Sequence, residues 1–378
     1  MLRKDNFFQK GDFFMAIKYK WLAGTLRDLI KKDVKNQINK LPSEQELCRR
    51  YHVSRQTVRQ ALNLLTQEGL IEKRHGSGSY ITGHSANLSD DQIAILISDD
   101  SNYIYPGVLD DIQGTLRKYH FSSQVHITKN ETYEERKILT KLLSAPPRGI
   151  IVEGSRSYLP NPNLDLYRAL QKKNCRFVFL HNYYQNFSQI PFVKDDNFSG
   201  SRQLTEYLLS QGHTAIGGIF HSDDLQGAER FQGFMETMRN QGLPVPDSRV
   251  GWFNSHDLDH LQRFQDTGFL KKIVQDSLES CTAVVCYNDM IAYFLIKELN
   301  LAGYHLPDDM AIGAFDNTYL SNSQILTLTT LSHKSHEMGT AAANMIIQQL
   351  KGIPVTFLEV PWTLIPKGST PDNLLDNL

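Results

Sequence analysis

Polar side chains follow the short apolar runs that recur between residues 92 and 316. Glu153 ends one such run, the pair His181-Asn182 ends another, and Arg230 opens a helical stretch beyond a later one. Carboxylates, amides and a guanidinium form the directional hydrogen bonds that neighbouring hydroxyl groups need, and Tyr105 adds an apolar face for stacking. These residue types therefore suit a small, hydroxyl-rich ligand. The candidates are Tyr105, Glu153, His181, Asn182, Asp224, Arg230, Asn288, Asp289 and Asp316.

Each of these residues also has an ordinary structural explanation, because Asp and Asn after strands are common helix caps and turn formers. Acid–base catalysis is a further alternative, since His221, Asp223 and Asp224 are close in sequence. The sequence contains no phosphate-binding loop, no Gly-x-Ser-x-Gly elbow and no His-Glu-x-x-His motif. The polar set is also spread over many strands. We therefore expect a binding site with no catalytic residue and no cofactor.

A helix near the amino terminus presents a second set of polar residues. Ser54 precedes it as an N-cap, and a shorter helix begins upstream at a capping box formed by Ser43 and Glu46. Two short helices joined by a tight turn are typical of DNA recognition, since Arg can pair with guanine and Gln with adenine in the major groove. An apolar stripe is formed by Val58, Ala61, Leu62 and Leu65. The residues predicted to face outward are Arg55, Gln56, Thr57, Arg59 and Gln60.

The segment after this helix is typical of a β-hairpin with a glycine-rich tip. The tip reads His75-Gly76-Ser77-Gly78. Glycine permits positive φ and a close backbone approach, so a small basic tip can reach a minor groove or a phosphate. A hairpin that follows two short helices predicts a winged helix-turn-helix.

The charge of the chain is divided unevenly. Residues 1 to 83 contain 16 Lys and Arg against 8 Asp and Glu, whereas the remainder contains 24 against 33. A basic module joined to an acidic one is expected where one end of the chain meets phosphates.

Apolar runs of strand length alternate with longer amphipathic segments after a polar linker at 84–91. This alternation predicts an α/β fold of parallel sheets flanked by helices, with ligands bound at the carboxyl ends of the strands. The predicted strands cover 93–97, 149–152, 177–180, 216–220, 283–286 and 311–315.

The sequence argues against a membrane-spanning protein and against a secreted one. No run approaches the roughly 18 apolar residues that span a bilayer, and the amino terminus has no apolar signal core, so we expect a cytoplasmic protein. The cysteines show neither zinc-ligand spacing nor a pairing pattern, so we expect buried free thiols and no metal site. They are Cys48, Cys175, Cys281 and Cys286.

Residues 17 to 83, the head, closely resemble the DNA-binding domain of the GntR family of bacterial regulators. The motifs are Leu-Pro-Ser-Glu-x-Glu-Leu at 41–47, Val-Ser-Arg-x-Thr-Val-Arg-x-Ala-Leu at 53–62 and Gly-Ser-Gly at 76–78. The resemblance implies double-stranded operator DNA as a partner, with Lys18 and Tyr19 near phosphates. The full set of candidate DNA contacts is Lys18, Tyr19, Ser43, Gln45, Arg55, Gln56, Thr57, Arg59, His75 and Gly76.

The body, residues 91 to 367, resembles over nearly its whole length the effector domain of the LacI/GalR regulators and the related periplasmic sugar-binding proteins. The motifs include Asp196-Asn197 with Gly200, Arg230 with Gly233-Phe234, Cys286-Tyr287-Asn288-Asp289 and Gly313-Ala314-Phe315-Asp316. The resemblance implies a two-lobed fold in which Arg230, Asn288 and Asp316 hold a sugar. It also adds Asp196 to the candidate ligands.

A GntR-type head on a LacI-type body implies a transcriptional repressor that leaves its operator when a sugar binds. Runs such as Tyr-Ile-Tyr-Pro at 103–106 and Asp-Asp-Leu-Gln-Gly at 223–227 imply, again by resemblance, L-arabinose as the effector. Residue chemistry alone indicates only a small hydroxylated molecule, so another pentose or hexose stays open, and an enzyme with a fused DNA-binding head is the second alternative. We expect a homodimer paired through the bodies, to match a palindromic operator.

The predicted organisation has five parts. They are an extension without an assigned role (1–16), the winged helix (17–83), the linker (84–91), the effector and dimerisation domain (92–367) and a tail (368–378). The linker shows no hinge helix, which is a departure from LacI-type repressors.

Overall fold

Two compact units make up the chain, Met1–Ser89 and Asp90–Leu378. The computed structural model describes residues 19, 22–27, 29–30, 40–67, 70–74, 78–81, 91–99, 103–187, 189–322, 326–334 and 336–370. Lys18, His75 and Gly76, the 1–16 extension and most of the linker and tail lie outside these residues.

The amino-terminal unit confirms the two helices and the hairpin. Helix α1 (Glu44–Tyr51) begins at the capping box, in which the Glu46 N–H donates to Ser43 Oγ at 3.3 Å and the Ser43 N–H donates to Glu46 Oε2 at 2.8 Å. His52, in the left-handed region at φ 52°, ends α1. Helix α2 (Arg55–Gln67) and the antiparallel strands β1 (Ile71–Arg74) and β2 (Gly78–Ile81) follow. The predicted stripe on α2 is fully buried in the core of this unit.

The first lobe of the body is a six-stranded parallel sheet. Its strands are β3 (Gln92–Ile97), β4 (Ser122–Ile127), β5 (Gly149–Val152), β6 (Arg176–Leu180), β7 (Phe192–Asp195) and β13 (Leu358–Val360). Their order is β13-β7-β6-β5-β3-β4. The helices are α3 (Tyr105–Lys118), α4 (Thr132–Ser144), α5 (Leu164–Lys172) and α11 (Glu337–Leu350). Separate apolar cores lie on the two faces of the sheet, which explains why its strands read as continuous apolar runs.

The second lobe repeats this architecture. Its strands are β8 (Ile216–His221), β9 (Val250–Phe253), β10 (Ala283–Cys286), β11 (Ala311–Phe315), β12 (Thr329–Ser332) and β14 (Thr363–Ile365). Their order is β14-β12-β11-β10-β8-β9, and β14 alone runs antiparallel to its neighbour. The helices are α6 (Asn197–Ser210), α7 (Leu225–Asn240), α8 (Ser255–Phe264), α9 (Gly268–Ser277) and α10 (Asp289–Leu301).

The chain crosses between the lobes three times: after β7, after β12 and between β13 and β14. The carboxyl ends of strands from both sheets border one cleft. The topology therefore brings together residues that are far apart in sequence, as parallel sheets do at their ligand-binding edge.

The six predicted strands are confirmed to within one residue at either end. The sequence did not reveal β4, β7, β9 or β12 to β14. Strand β4 has no fully buried residue because it lies at the sheet edge, so it lacks an apolar run. The cysteines are unpaired, and Cys48 is only partly buried, unlike the other three. Among the described residues, no helix combines the length and apolar character needed to cross a bilayer.

Candidate functional site

The outer face of α2 is the candidate DNA-reading surface. Ser54 Oγ accepts a hydrogen bond from the Thr57 N–H at 3.2 Å, which starts the helix where the sequence predicted. Arg55, Gln56 and Arg59 are exposed. Their side chains are therefore accessible to base edges or phosphates.

The predicted outward orientation is wrong for Thr57. This side chain is 2 % exposed, and its Oγ1 lies 2.8 Å from Ser54 Oγ, so it stabilises the helix start. Ser43 and Gln45 are exposed, although the Ser43 hydroxyl already caps α1. Tyr19 packs, partly buried, against the core of the head.

Sequence reasoning missed Glu44 on this surface. Its carboxylate lies 3.7 Å from Arg55 Nε and 3.5 Å from Arg59 Nε. Both arginines are mostly exposed, so these ion pairs add little stability. Glu44 instead gathers the two guanidinium groups on one side of α2. The sequence signal that could have identified Glu44 was its position in the first turn of α1, the helix that packs against α2.

Eight of the ten candidate ligands line one cleft between the lobes of the body. The cleft has a volume of about 660 Å³, which is within the range of small-molecule sites. The eight are Tyr105, Glu153, His181, Asn182, Asp224, Arg230, Asn288 and Asp316.

Arg230 is the buried cation of the cleft, at 1 % exposure. Its Nε donates to Asn197 Oδ1 at 2.9 Å, and its Nη1 donates to the carbonyl of Tyr287. Its Nη2 donates to Gln226 Oε1 at 3.1 Å and lies 3.8 Å from Asp316 Oδ1. Because a buried charge is tolerated only when it is paired and hydrogen-bonded, this network holds the guanidinium in one orientation.

Asp316 faces Arg230 from the end of β11. The Tyr103 hydroxyl, from the first lobe, donates to Asp316 Oδ2 at 2.8 Å. Burial raises the pKa of Asp316, and Arg230 opposes that rise. Asp316 has φ 96°, a backbone conformation that is costly for a residue with a side chain.

Glu153 supplies an acceptor on the opposite side of the cleft. It accepts the Ser98 N–H at 2.7 Å and the Tyr105 hydroxyl at 3.1 Å. Burial raises the pKa of Glu153, and burial together with Glu153 raises the pKa of Tyr105 well above its usual value. Tyr105 therefore stays protonated and acts as a donor.

Two further cleft residues, Asp195 and Trp362, were missed by sequence reasoning. Asp195 ends β7, and its Oδ2 lies 3.8 Å from His181 Nδ1. Burial alone would lower the pKa of His181, but Asp195 and Glu153 outweigh it and raise that pKa. Strand β7 contains Lys194 and Asp195 among its four residues, so it does not read as an apolar run. No local pattern marks Trp362.

Three fully buried atoms of cleft-lining residues lack a hydrogen-bond partner within the described part of the chain, although Asp195 Oδ1 lies 3.6 Å from His333 Nε2. They are His181 Nε2, Asp195 Oδ1 and Trp362 Nε1. A buried polar atom left unpaired costs about 1 to 3 kcal/mol. The side chains that line the cleft supply further donors and acceptors, which suit a ligand with hydroxyl groups because a hydroxyl both donates and accepts.

Some of the eight cleft residues have their polar atoms occupied by the protein. Asn182 exchanges two hydrogen bonds with the backbone of Gly154, at 2.8 and 3.1 Å. Asp224 accepts from the Ser157 hydroxyl at 2.8 Å and from the Tyr287 hydroxyl at 2.6 Å. These two side chains shape the cleft more than they offer it hydrogen bonds.

The structure does not bring Asp196 and Asp289 into the cleft, which corrects their prediction as ligands. Asp196 caps α6 by accepting the Ser199 N–H at 3.1 Å. Asp289 is fully buried and accepts from the Thr318 N–H at 2.6 Å and the Thr330 hydroxyl at 2.7 Å. Both perform the capping and turn-forming role that Asp often has after strands.

The catalytic alternative rested on His221 and its neighbours. Ser255 Oγ lies 3.4 Å from His221 Nε2, and Asp223 Oδ1 lies 2.9 Å from the same nitrogen. The Ser255 hydroxyl donates to Asp223 at 2.8 Å. Asp223 therefore competes with Ser255 for the nitrogen that a triad serine would use, and Asp224 Oδ2 lies 3.8 Å from the opposite nitrogen, Nδ1, which is longer than the hydrogen bond of a catalytic triad.

Two family models match the chain. The model of bacterial regulatory proteins of the gntR family matches residues 18–81, and a periplasmic binding protein-like domain matches residues 205–370. An arabinose metabolism transcriptional repressor from Geobacillus stearothermophilus is 31 % identical over 340 residues, covering 89 % of this chain and 91 % of the relative. A repressor of the same name from Halalkalibacterium halodurans is 29 % identical, covering 88 % and 89 %.

Solved structures share the fold. The transcriptional regulator CelR in complex with cellobiose has a TM-score of 0.64 at 18 % identity, covering 84 % of this chain and 91 % of that one. A LacI family regulator from Enterococcus faecium with bound ribose has a TM-score of 0.61 at 21 % identity, covering 74 % and 99 %.

Proposed function

The chain belongs to the family of arabinose metabolism transcriptional repressors, and from that premise we propose that it represses L-arabinose utilisation genes until L-arabinose fills its cleft. It is a transcriptional regulator and not an enzyme, with a GntR-type DNA-binding domain and a sugar-binding effector domain. We place its action in the cytoplasm, where operator DNA is found.

The observation that carries the choice of ligand is the set of polar side chains that line one cleft, among them His181, Asp195 and Asn288. Arg230 and Glu153 add a fixed donor and a fixed acceptor. This mixture of donors and acceptors around one cleft matches the hydroxyls of a monosaccharide. The choice of L-arabinose among monosaccharides rests on the relatives.

We assign DNA contacts to Arg55, Gln56 and Arg59, whose side chains are exposed on α2. Lys18, Tyr19, His75 and Gly76 stay candidates through the family pattern. Arginine at the start of a recognition helix reads guanine by two parallel hydrogen bonds, and the remaining basic groups hold phosphates.

We propose that two copies pair through their bodies. Large apolar side chains are exposed on the second lobe: Phe264 is 68 %, Leu301 81 % and Tyr319 66 % exposed. A second copy would cover them and set two heads at the spacing of a palindromic operator. Sedimentation of the purified chain at micromolar concentration as a monomer would contradict this pairing.

Sugar and DNA are coupled because each prefers a different arrangement of the lobes. The factor by which sugar weakens operator binding must equal the factor by which operator weakens sugar binding. The test is a pair of titrations on the full chain. Operator sequences are first selected from random duplexes, and calorimetry then measures binding of L-arabinose, D-ribose, D-xylose and D-galactose with and without the selected duplex.

We expect L-arabinose to bind more tightly than the other sugars. It should lower the affinity for operator by the same factor by which operator lowers the affinity for L-arabinose. If another sugar on the panel binds more tightly, that sugar replaces L-arabinose as the proposed effector. Independent sugar and operator titrations would overturn the proposed regulation, and no salt-sensitive retention of any duplex would overturn the DNA-binding function.

A further inference from the structure

We propose that Ser157, in the first lobe, is a positioning residue of the sugar sensor because it caps the second-lobe helix that carries Arg230. The proposal rests on the proposed function only for its effect on sugar affinity. Ser157 is buried but does not line the cleft. A direct contact between Ser157 and the sugar is therefore not part of the proposal.

Helix α7 lacks a side-chain cap of its own. Its N-cap residue is Asp224, whose side chain forms no capping hydrogen bond. The Leu225 N–H instead donates to Ser157 Oγ at 3.0 Å, and the Ser157 hydroxyl donates to Asp224 Oδ1 at 2.8 Å. One hydroxyl thus satisfies both a free helix N–H and the residue at the cap position, and it comes from the other lobe.

The backbone beside Ser157 makes a second contact between the lobes. The Tyr158 N–H donates to the Asp223 carbonyl at 3.3 Å. Arg156 Nε lies 3.7 Å from the Asp223 carboxylate. The turn at 156–158 therefore meets the start of α7 through several polar groups, and separation of the lobes would break all of them.

The loop that carries Ser157 is held rigidly within its own lobe. Glu135 is fully buried and accepts hydrogen bonds from the hydroxyls of Tyr167 at 2.7 Å and Tyr184 at 2.6 Å. The Tyr184 hydroxyl also lies 3.2 Å from the Ser155 carbonyl. Since Glu153 begins this loop, the ligand-binding carboxylate and the capping hydroxyl are four residues apart on one rigid segment.

This arrangement couples the cleft to α7. A sugar held by Glu153 and Arg230 keeps the lobes together, which places Ser157 over the Leu225 N–H. The cap in turn stabilises the closed arrangement and the start of the helix that presents Arg230. Removal of the hydroxyl should therefore weaken sugar binding about 2- to 30-fold, which is the range for loss of one helix cap.

The test compares Ser157→Ala with two matched variants of the full chain. Ser157→Thr keeps the hydroxyl and should restore sugar affinity. Asp266→Ala removes a hydrogen bond to the Gly268 N–H at the start of α9, within one lobe, and should leave sugar affinity within 2-fold. Calorimetry with L-arabinose gives the dissociation constants, and fluorescence anisotropy gives operator affinity without sugar.

We expect Ser157→Ala to raise the sugar dissociation constant and to leave operator affinity without sugar unchanged or tighter, because only the closed arrangement loses the cap. A merely structural defect would weaken both. The positioning role would be overturned if sugar affinity stayed within 2-fold of wild type, or if the affinities for sugar and for operator fell by the same factor.

Amide hydrogen exchange supplies a readout that needs no sugar. The peptide covering residues 222–232 contains the Leu225 amide, which should exchange faster in Ser157→Ala than in wild type and Asp266→Ala. Unchanged exchange there would overturn the cap itself. A wild type that binds no sugar on the panel would overturn the proposed function, and the exchange comparison would still decide whether the cap exists.

Discussion

Replacement of Arg230 by methionine tests the central claim about the cleft. Methionine is similar in length but donates no hydrogen bond, so Asn197 Oδ1 and the Tyr287 carbonyl lose their donors and Asp316 loses its nearest cation. Each buried acceptor left unpaired costs about 1 to 3 kcal/mol. Two of them lower the free energy of unfolding of the body by about 4 kcal/mol.

Scanning calorimetry of the full chain measures this loss. At about 2 to 4 °C per kcal/mol for a domain of this size, the unfolding midpoint of the body should fall by roughly 10 °C. Calorimetric titration with L-arabinose, at a temperature where circular dichroism shows both proteins folded, should show sugar affinity lowered more than about 100-fold, since a charged donor and its oriented partners are lost.

The matched control is Arg239→Met on the same helix. Arg239 is exposed, so its replacement should change the free energy of unfolding by less than about 0.5 kcal/mol and leave sugar affinity intact. If Arg230→Met unfolds at the wild-type midpoint and binds L-arabinose normally, the hydrogen-bond network does not hold the cleft together, and the argument for Arg230 as its anchor is refuted.

Three further changes test other parts of the molecule. Burial alone would lower the pKa of His221, but Asp223 and Asp224 outweigh it and raise the pKa to about 8 from the usual 6.5. The resulting stability, at most about 2 kcal/mol, is complete below pH 6.5 and lost as pH rises through 8, so urea unfolding between pH 6 and 9 should show a steeper loss of stability in wild type than in His221→Asn, in which the raised pKa of His181 still contributes. Arg55→Ala should weaken operator binding by about 1 to 3 kcal/mol and relax one base position, and an unchanged preference in duplex selection would remove Arg55 from the reading surface. Asp196→Ala should lower the free energy of unfolding by about 1 kcal/mol with sugar affinity unaltered, whereas a tenfold weaker affinity would restore Asp196 as a ligand.

The sequence by itself determined what depends on short-range patterns. The Ser43 and Glu46 capping box, the apolar stripe of α2 and the six buried strands each involve residues close in sequence, so their types and spacing were sufficient. The family motifs, also local, identified the two modules and the class of regulator.

Only the tertiary structure decided which polar residues share the cleft. Asp195 and Trp362 enter it from segments that lie next to the crossings between lobes, and Asp289 is turned away from it into hydrogen bonds with Thr318 and Thr330. The same holds for Ser157, whose cap on α7 joins residues 68 positions apart. A polar residue after a strand has the same local sequence whether it binds a ligand or caps a helix, because its partners are chosen by packing between distant segments.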